Sequence, residues 1–378
     1  MPVNVLHCHS TFSLGGKEAR AVALMNAFGD RARHTIVSSV PGALDARKAI
    51  AAGIDARLPE GAPSLTGRPS VARYRDLAEY MRGFDLVLTY NWGAMDAVMA
   101  RRMFGKSLPP LVHHEDGFNA DEAVRLKPER TLMRRLAFPA AAAVVVPSGT
   151  LEDIALKTWK QPSARVHRIP NGIQTARYAA KPKPNAIPGL RKKAGEIVIG
   201  TVAGLRPVKN LPRLVEAALS IPGTRLVIVG EGPEKTAIVA KAREMGVSQR
   251  LVMPGFLPDP HRYIGLFDIF ALSSDSEQFP IALVEAMAAG LPVATTHVGD
   301  VAVILPPEQL GLVAECDEYA LAGALRQLVA DKALRTQLGA ANQKLAFAAY
   351  DEQAMVAAYA RLYDSALGSG VHFASGAL

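Results

Sequence analysis

Short runs rich in β-branched and aliphatic residues recur along the chain, and segments with helical spacing lie between them. In the first half the runs are VNVLH at 3–7, HTIVS at 34–38, DLVLTY at 85–90, PLVHH at 110–114 and AVVVPS at 143–148. In the second half they are EIVIGTVAG at 196–204, RLVIVG at 225–230, RLVMPGF at 250–256, FDIFALSS at 267–274 and LPVATT at 291–296. Continuous apolar runs suit strands buried on both faces. Strands that alternate with helices need crossover connections, so the pattern specifies parallel sheets covered by helices on both sides. After Gly16, the residues Ala21, Leu24, Met25 and Phe28 follow the apolar stripe of an amphipathic helix, and Gly29 stops it.

At 378 residues the chain is longer than one hydrophobic core usually grows. Around 179–195, AAKPKPNAIPGLRKKAG loses apolar periodicity and gathers prolines, glycines and basic residues, which reads as a linker. The expected fold class is therefore α/β, with two similar domains in tandem over 1–178 and 196–349. Ligands of such sheets bind beyond the carboxyl ends of the strands, so two sheets facing each other would leave a cleft, and the loops after the strands are the places to search. The Gly, Ser and Ala of the last ten residues read as a frayed tail.

Two cysteines, Cys8 and Cys316, are too few for a disulfide framework or a zinc site, which points to a reducing compartment. MPVNVLHCHS lacks the pattern of a secretory signal, and the longest low-polarity run, Leu136 to Pro147, is too short to span a bilayer. A soluble or peripheral, cytoplasmic protein is expected. The net charge of +8 and pI near 9.5 imply attraction to anions such as lipid head groups, nucleotides or phosphorylated glycans.

Several loops carry chemistry-bearing residues. HSTFSLGGKEAR places Gly15 and Gly16 just before the first helix, which suits either close approach to a phosphate or an ordinary tight turn. GLRPVKN puts Arg206 and Lys209 between a strand and a helix, where they are either solvated or placed to neutralise a diphosphate. VGEGPEK has Gly230 and Gly232, but Lys235 stands where a dinucleotide fingerprint needs its third glycine, so an NAD site is rejected. In SSDSEQFPIALVEAMAAGLPVATT, Glu277 falls in a polar loop and Glu285 more than a turn into a helix that starts near Pro280 and closes at Gly290. That placement fits ligand positioning better than a glycosidase acid/base pair. HHED and His7-Cys8-His9 suggest metal ligands, yet both sit at the ends of buried strands, and neither they nor any D-x-D motif lead us to expect a metal.

Together SLGGKEARAVALM, VVVPSGTLEDI, VHRIPNGI, GLRPVKN, LVIVGEGP, LVMPGFLPD and EQFPIALVEAMAAGLPV resemble the family 4 retaining glycosyltransferases, also called group 1 glycosyltransferases. The resemblance implies the GT-B fold, two Rossmann-like domains facing across a cleft. The first would bind the acceptor and be joined by a returning C-terminal helix, about 350–378; the second would bind the nucleotide-sugar. It implies that Glu277 contacts donor-sugar hydroxyls and that Glu285 binds the ribose. Backbone amides around Gln278, Phe279, Pro280, Ile281 and Ala282 would hold the diphosphate, Lys209 would neutralise it, and Gly16 would close over the phosphates. Either His114 or Asp116 would stand near the sugar, with Asp116 favoured because it directly precedes Gly117. No cofactor is implied, the nucleotide-sugar being a co-substrate.

Three places depart from the family pattern, the first being the loop HHEDG, where Asp116 directly precedes Gly117 and the family often carries a histidine. Gly204 stands where an arginine is common, so Arg206 either reaches the same phosphates or one contact is missing; Gln174 replaces an aspartate after the Asn-Gly near the hinge. RLKPERTLMRRLAF at 125–138 interleaves five basic residues with apolar ones, which suits a solvated helix face or one resting on anionic lipid. The main expectation is a transferase moving a sugar, UDP-linked in the first instance and GDP-mannose next, to a hydroxyl of a glycan or lipid-linked acceptor in surface polysaccharide or glycolipid synthesis, with no nucleic-acid partner. The competing expectations are a catalytically silent nucleotide-sugar binder and a nucleotide-sugar epimerase of the same architecture.

Overall fold

Each apolar run becomes a strand whose successive side chains enter opposite cores. The computed structural model describes residues 1–13, 15–118, 122, 125–368, 370 and 372–374. The chain divides into two compact units, Met1–Gly172 with Gln353–Leu378, and Ile173–Glu352.

Among the described residues the first unit has seven parallel strands: β1 (Val3–His9), β2 (Ala32–Ser38), β3 (Ala56–Arg57), β4 (Leu86–Tyr90), β5 (Leu111–His114), β6 (Ala143–Val146) and β7 (Val166–Arg168). They are ordered β3-β2-β1-β4-β5-β6-β7. Its helices are α1 (Gly16–Phe28), α2 (Val71–Met81), α3 (Met95–Phe104), α4 (Pro128–Ala137) and the short α5 (Gly149–Asp153). Val87, Leu111, Val144 and Val146 share one core with residues of α2 and α3. Their neighbours Leu88, Val112, Ala143 and Val145 share the other with α1. Ala21, Leu24, Met25 and Phe28 are all buried, and Gly29 follows at φ 59°, so α1 forms and stops where its apolar stripe and glycine dictate.

The second unit repeats the plan with six parallel strands: β8 (Ile197–Val202), β9 (Thr224–Val229), β10 (Leu251–Gly255), β11 (Ile269–Leu272), β12 (Val293–Thr296) and β13 (Val313–Ala314), ordered β10-β9-β8-β11-β12-β13. Its helices are α6 (Leu211–Leu219), α7 (Lys235–Glu244), α8 (Ile281–Ala288), α9 (Val301–Ile304), α10 (Glu318–Ala330) and α11 (Lys332–Ala349). Ile199, Leu226, Ile228 and Ile269 pack with α6 and α10, and Val198, Val227, Phe270 and Val293 pack with α8. The last helix, α12 (Glu352–Leu367), returns to the first unit and buries Met355, Tyr359, Ala360 and Tyr363. No helix among the described residues is long and apolar enough to cross a membrane.

Three expectations need correction. The stretch 179–195 is not a free linker: Ile187 is buried in the second unit's core, Lys192 pairs with Asp268 at 2.6 Å, and the division between units falls at Gly172–Ile173. One isoleucine with an apolar niche outweighs the extended tendency of the surrounding prolines. The described part of the tail is not frayed, because Phe373 is buried against Phe28, with ring centroids 4.5 Å apart; residues 369, 371 and 375–378 lie outside the described residues. Within 125–138, α4 covers Pro128–Ala137 and Phe138 opens a 3-10 turn, and Arg134 on α4 is buried in the core rather than solvated.

Candidate functional site

At the carboxyl end of the second sheet, two loops are stitched together. The loop after β8 carries Arg206 and Lys209 and ends at Asn210, whose left-handed backbone (φ 41°) lets its Oδ1 cap α6 by accepting from Arg213 N at 3.4 Å. The loop after β11 lies against it. Asp275 N donates to Val208 O at 2.9 Å, Ser273 Oγ to Lys209 O at 3.0 Å, and Arg213 Nη1 to Asp275 Oδ1 at 2.7 Å. The stitching delivers Lys209 to Glu277: Nζ donates to Oε1 at 2.5 Å, and Ser274 Oγ donates to the same oxygen at 2.7 Å.

Lys209 and Glu277 line one cavity with Thr201, Ser274, Pro280, Ile281 and Ala282. Pro280 occupies the position just before α8 rather than its first turn, and among the described residues no side chain caps the helix. The N–H groups at the start of α8 therefore sit in the wall of a cavity that already holds an ammonium, an arrangement suited to an anion. A third loop, after β12, closes behind Glu277. Thr296 Oγ1 donates to Ser274 O at 2.7 Å, and Gly299 adopts φ +50°, where an added Cβ would stand 1.9 Å from Glu277 O. Gln278 keeps a buried side-chain oxygen without a partner among the described residues, and Phe279 packs edge-on against Tyr350 with centroids 5.7 Å apart.

Glu285 lies one turn further along α8, partly buried, and accepts from Tyr178 Oη at 2.8 Å. Burial raises its carboxyl to about 7, against the lowering effect of that hydrogen bond. Arg206 is exposed, and its Nε lies 3.7 Å from where a Cβ on Gly204 would stand, so its guanidinium occupies the neighbourhood from which a side chain at 204 would start. Gly230 is explained without a dinucleotide: at φ +141° an added Cβ would stand 1.9 Å from Ala203 O, so the glycine lets the loops after β8 and β9 touch.

In the first unit the candidate residues meet a different set of partners. Asp116 receives both guanidinium nitrogens of Arg20, the Nη2 bond being 2.8 Å, and its own N–H donates to Asn91 Oδ1 at 2.7 Å. Burial works to raise the Asp116 carboxyl, but the charge and hydrogen bonds of Arg20 outweigh it and hold the group below its ordinary value. Arg20 also donates to Asn171 Oδ1 at 3.0 Å and lies over the Tyr359 ring at 5.5 Å. His114 is a core residue, not a loop residue: it ends β5, and its ring nitrogens meet Thr89 O at 3.1 Å and Tyr363 Oη at 2.9 Å. With both nitrogens engaged and the ring buried, His114 has no atom free for a ligand.

Gly15 and Gly16 begin α1, where Glu18 already supplies a negative charge to the first turn and accepts from Thr11 Oγ1 at 3.1 Å and from Lys17 Nζ. A phosphate there would share the helix end with that carboxylate. Among the described residues, no three His, Cys, Asp or Glu side chains converge as metal ligands.

The structure thus gathers Lys209, Glu277 and Pro280 to Ala282 around one cavity, with Glu285 a turn further along α8; Arg206 is exposed on the loop after β8 and does not line that cavity, and in the first unit Asp116 is tied to α1. Sequence reasoning missed Ser274, Tyr178, Gly299 and Arg20. Arg20 was findable, since it lies on the buried stripe of α1 with Leu24 and Phe28, and a charge on an apolar stripe demands a partner. Tyr178 was not, because it reaches Glu285 across 107 residues of sequence.

Residues 14–177 match the family described as Glycosyltransferase Family 4, and residues 182–345 match Glycosyl transferases group 1. Similar proteins include the lipopolysaccharide core biosynthesis glycosyltransferase LpsE of Rhizobium meliloti, 27% identical over 57% of this chain and 62% of that one. Another is the putative glycosyltransferase EpsD of Bacillus subtilis, 31% identical over 51% of this chain and 53% of that one. The chain thus spans only about half the length of such relatives. In fold it is similar to HepE of Anabaena, solved in complex with UDP, at a TM-score of 0.75 and 20% identity over 96% of this chain and 100% of that one. It is also similar to a sucrose-phosphate synthase of Thermosynechococcus elongatus, at a TM-score of 0.76 and 20% identity over 97% of this chain and 100% of that one. With one family matched in its first half and the other in its second, on two Rossmann-like domains of the GT-B class, the chain belongs to the family 4, group 1 glycosyltransferases.

Proposed function

We propose that this protein transfers a sugar from a nucleotide-diphosphate sugar to a hydroxyl of a glycan or lipid-linked acceptor in surface polysaccharide or glycolipid synthesis, with retention at the anomeric carbon and without a metal. The observation that carries the reading is the cavity in which the Lys209 ammonium, the Glu277 carboxylate and the uncapped start of α8 converge. An ammonium and a helix N-terminus suit a diphosphate, and a carboxylate beside them suits donor hydroxyls.

In this reading the bond from the anomeric carbon to the diphosphate oxygen breaks while the acceptor oxygen bonds to that carbon on the same face. A donor phosphate oxygen takes the acceptor proton. Lys209, Arg206 and the amides of Ile281 and Ala282 stabilise the charge that develops on the leaving group, Glu277 orients the sugar, and Glu285 the ribose. Asp116 is assigned to the sugar and Gly16 to the phosphates. UDP-sugars are the foremost donors, supported by the Anabaena structures solved with UDP and with UDP-glucose; GDP-mannose comes next, supported by a similar GDP-mannose-dependent mannosyltransferase of Mycolicibacterium smegmatis. We place the protein in the cytoplasm, in peripheral contact with the inner face of the cell membrane through α4.

Lys209→Ala and Glu277→Ala are each expected to lower the transfer rate by about 100-fold or more while thermal unfolding stays unchanged. Undiminished transfer in both variants would remove the assigned site. A thermal-shift screen of UDP-, GDP- and ADP-sugars names the donor, since a ligand at about 100 times its Kd adds about 2.7 kcal/mol to the folded state. Stabilisation by a donor without transfer to any of a broad set of acceptors would favour the silent binder instead.

A further inference from the structure

The two groups assigned to adjoining parts of the donor, Lys209 to the diphosphate and Glu277 to the sugar, satisfy each other. Lys209 Nζ and Glu277 Oε1 are 2.5 Å apart, and their side chains are only 16% and 9% exposed. The carboxylate is held there by structure on both sides: Ser274 Oγ donates to it, Ser274 O is tied to Thr296, and Gly299 packs directly under the Glu277 carbonyl. A diphosphate arriving at Lys209 therefore meets a fixed negative charge beside the ammonium.

We infer that the Lys209–Glu277 pair discriminates an intact nucleotide-sugar from the nucleoside diphosphate that transfer leaves behind, an inference that rests on the donor-site reading above. With a nucleotide-sugar, the diphosphate takes over Lys209 while sugar hydroxyls donate to Glu277, so each charged group exchanges one partner for another. A free nucleoside diphosphate brings no hydroxyls to Glu277, and its terminal phosphate carries additional negative charge toward that carboxylate. Ser274 alone then remains as a donor to Glu277, and two like charges share a sparsely solvated cavity. The same pair that accommodates the donor thus weakens the product and speeds its departure, without any moving segment.

The test is calorimetric binding of UDP, GDP and ADP to the wild type and to Glu277→Gln, with thermal unfolding as the control for folding. For the diphosphate that binds the wild type most tightly, Glu277→Gln is expected to tighten binding about tenfold, because one like charge is removed beside Lys209. Binding of the matching nucleotide-glucose is expected to stay level or weaken, so the ratio of the two Kd values moves toward product and inhibition by the diphosphate deepens. Unchanged or weaker diphosphate binding in Glu277→Gln overturns the inference and leaves the donor site standing. Failure of all three diphosphates to bind the wild type overturns the inference and the donor site together.

Discussion

Glu285 shows what one residue's surroundings can decide. Glu285 rides on the otherwise apolar α8 with its carboxyl against Tyr178; burial raises it to about 7, and the hydroxyl of Tyr178 pulls it partly back. A raised carboxyl binds its proton more tightly folded than unfolded, so its contribution to stability is full below the ordinary value of 4.5 and is lost as pH rises through about 7. Ligand binding carries the opposite sign. Ribose hydroxyls donate to a carboxylate, so a nucleotide selects the ionised form and its affinity should climb from pH 6 to pH 8, by at most about tenfold per pH unit. Glu285→Gln should flatten that slope, and a wild-type affinity indifferent to pH over this range would remove Glu285 from the nucleotide contact. The carboxylates themselves were legible because loop and helix signals are local. Their partners were less so: the Lys209–Glu277 pair spans 68 residues and Tyr178–Glu285 spans 107, and such pairings exist only once the strands are in order.

At the level of elements, the strands legible in sequence are the central ones and the five-residue edge strand β10. Each was announced by consecutive apolar residues that feed both cores, whereas β3 and β13 have two residues and β7 three, each lies at a sheet edge with one neighbour, and none needs such a run. Helix α4 shows the reverse failure, a charge pattern that misleads. Its Arg134 is fully buried among Trp92, Phe118 and Trp159, with the guanidinium about 5 Å from each ring, and it pairs with Glu115 and Glu122; Arg130 pairs with Glu122 and lies over Trp92. Outward on α4 are Leu132 and Leu136, 56% and 53% exposed, with Arg135 and, in the first turn, Pro128 and Glu129. Its membrane contact would therefore rest on two leucines as much as on charge. Sedimentation with anionic vesicles should occur at low salt and weaken as salt rises, and Leu132→Ser with Leu136→Ser should reduce it at every salt concentration. Absence of sedimentation at low salt would end the proposal.

Across the whole molecule, the two units share an architecture but differ in how they bury histidine. In the first, His7 and His9 from β1, His34 from β2 and His114 from β5 come from three strands and are each no more than 2% exposed. His7 Nε2 meets His34 Nδ1 at 3.0 Å, and His9 stacks on Tyr90 with centroids 4.0 Å apart. In sequence His7, His9 and His114 invited a metal reading; in the fold all four are neutral core rings. Burial is the largest cause holding each below its ordinary value, to about 4 for His34 and about 3 for His114. The sign follows directly: the unfolded imidazoles bind protons near 6.5 while the folded ones do not, so their contribution is present above about pH 6.5 and is lost as pH falls. Each costs up to about 1.4 kcal/mol per pH unit below that point, and four acting together outweigh the opposite drift from a single raised glutamate. The second unit's His261 and His297 are not buried, so acid should spare it by comparison. Hydrogen exchange at pH 7.5 and pH 5 is expected to show protection falling across β1, β2 and β5 while β8, β9 and β11 keep theirs. Equal loss in both sheets would mean that net positive charge, not the buried imidazoles, governs the acid limit of this fold.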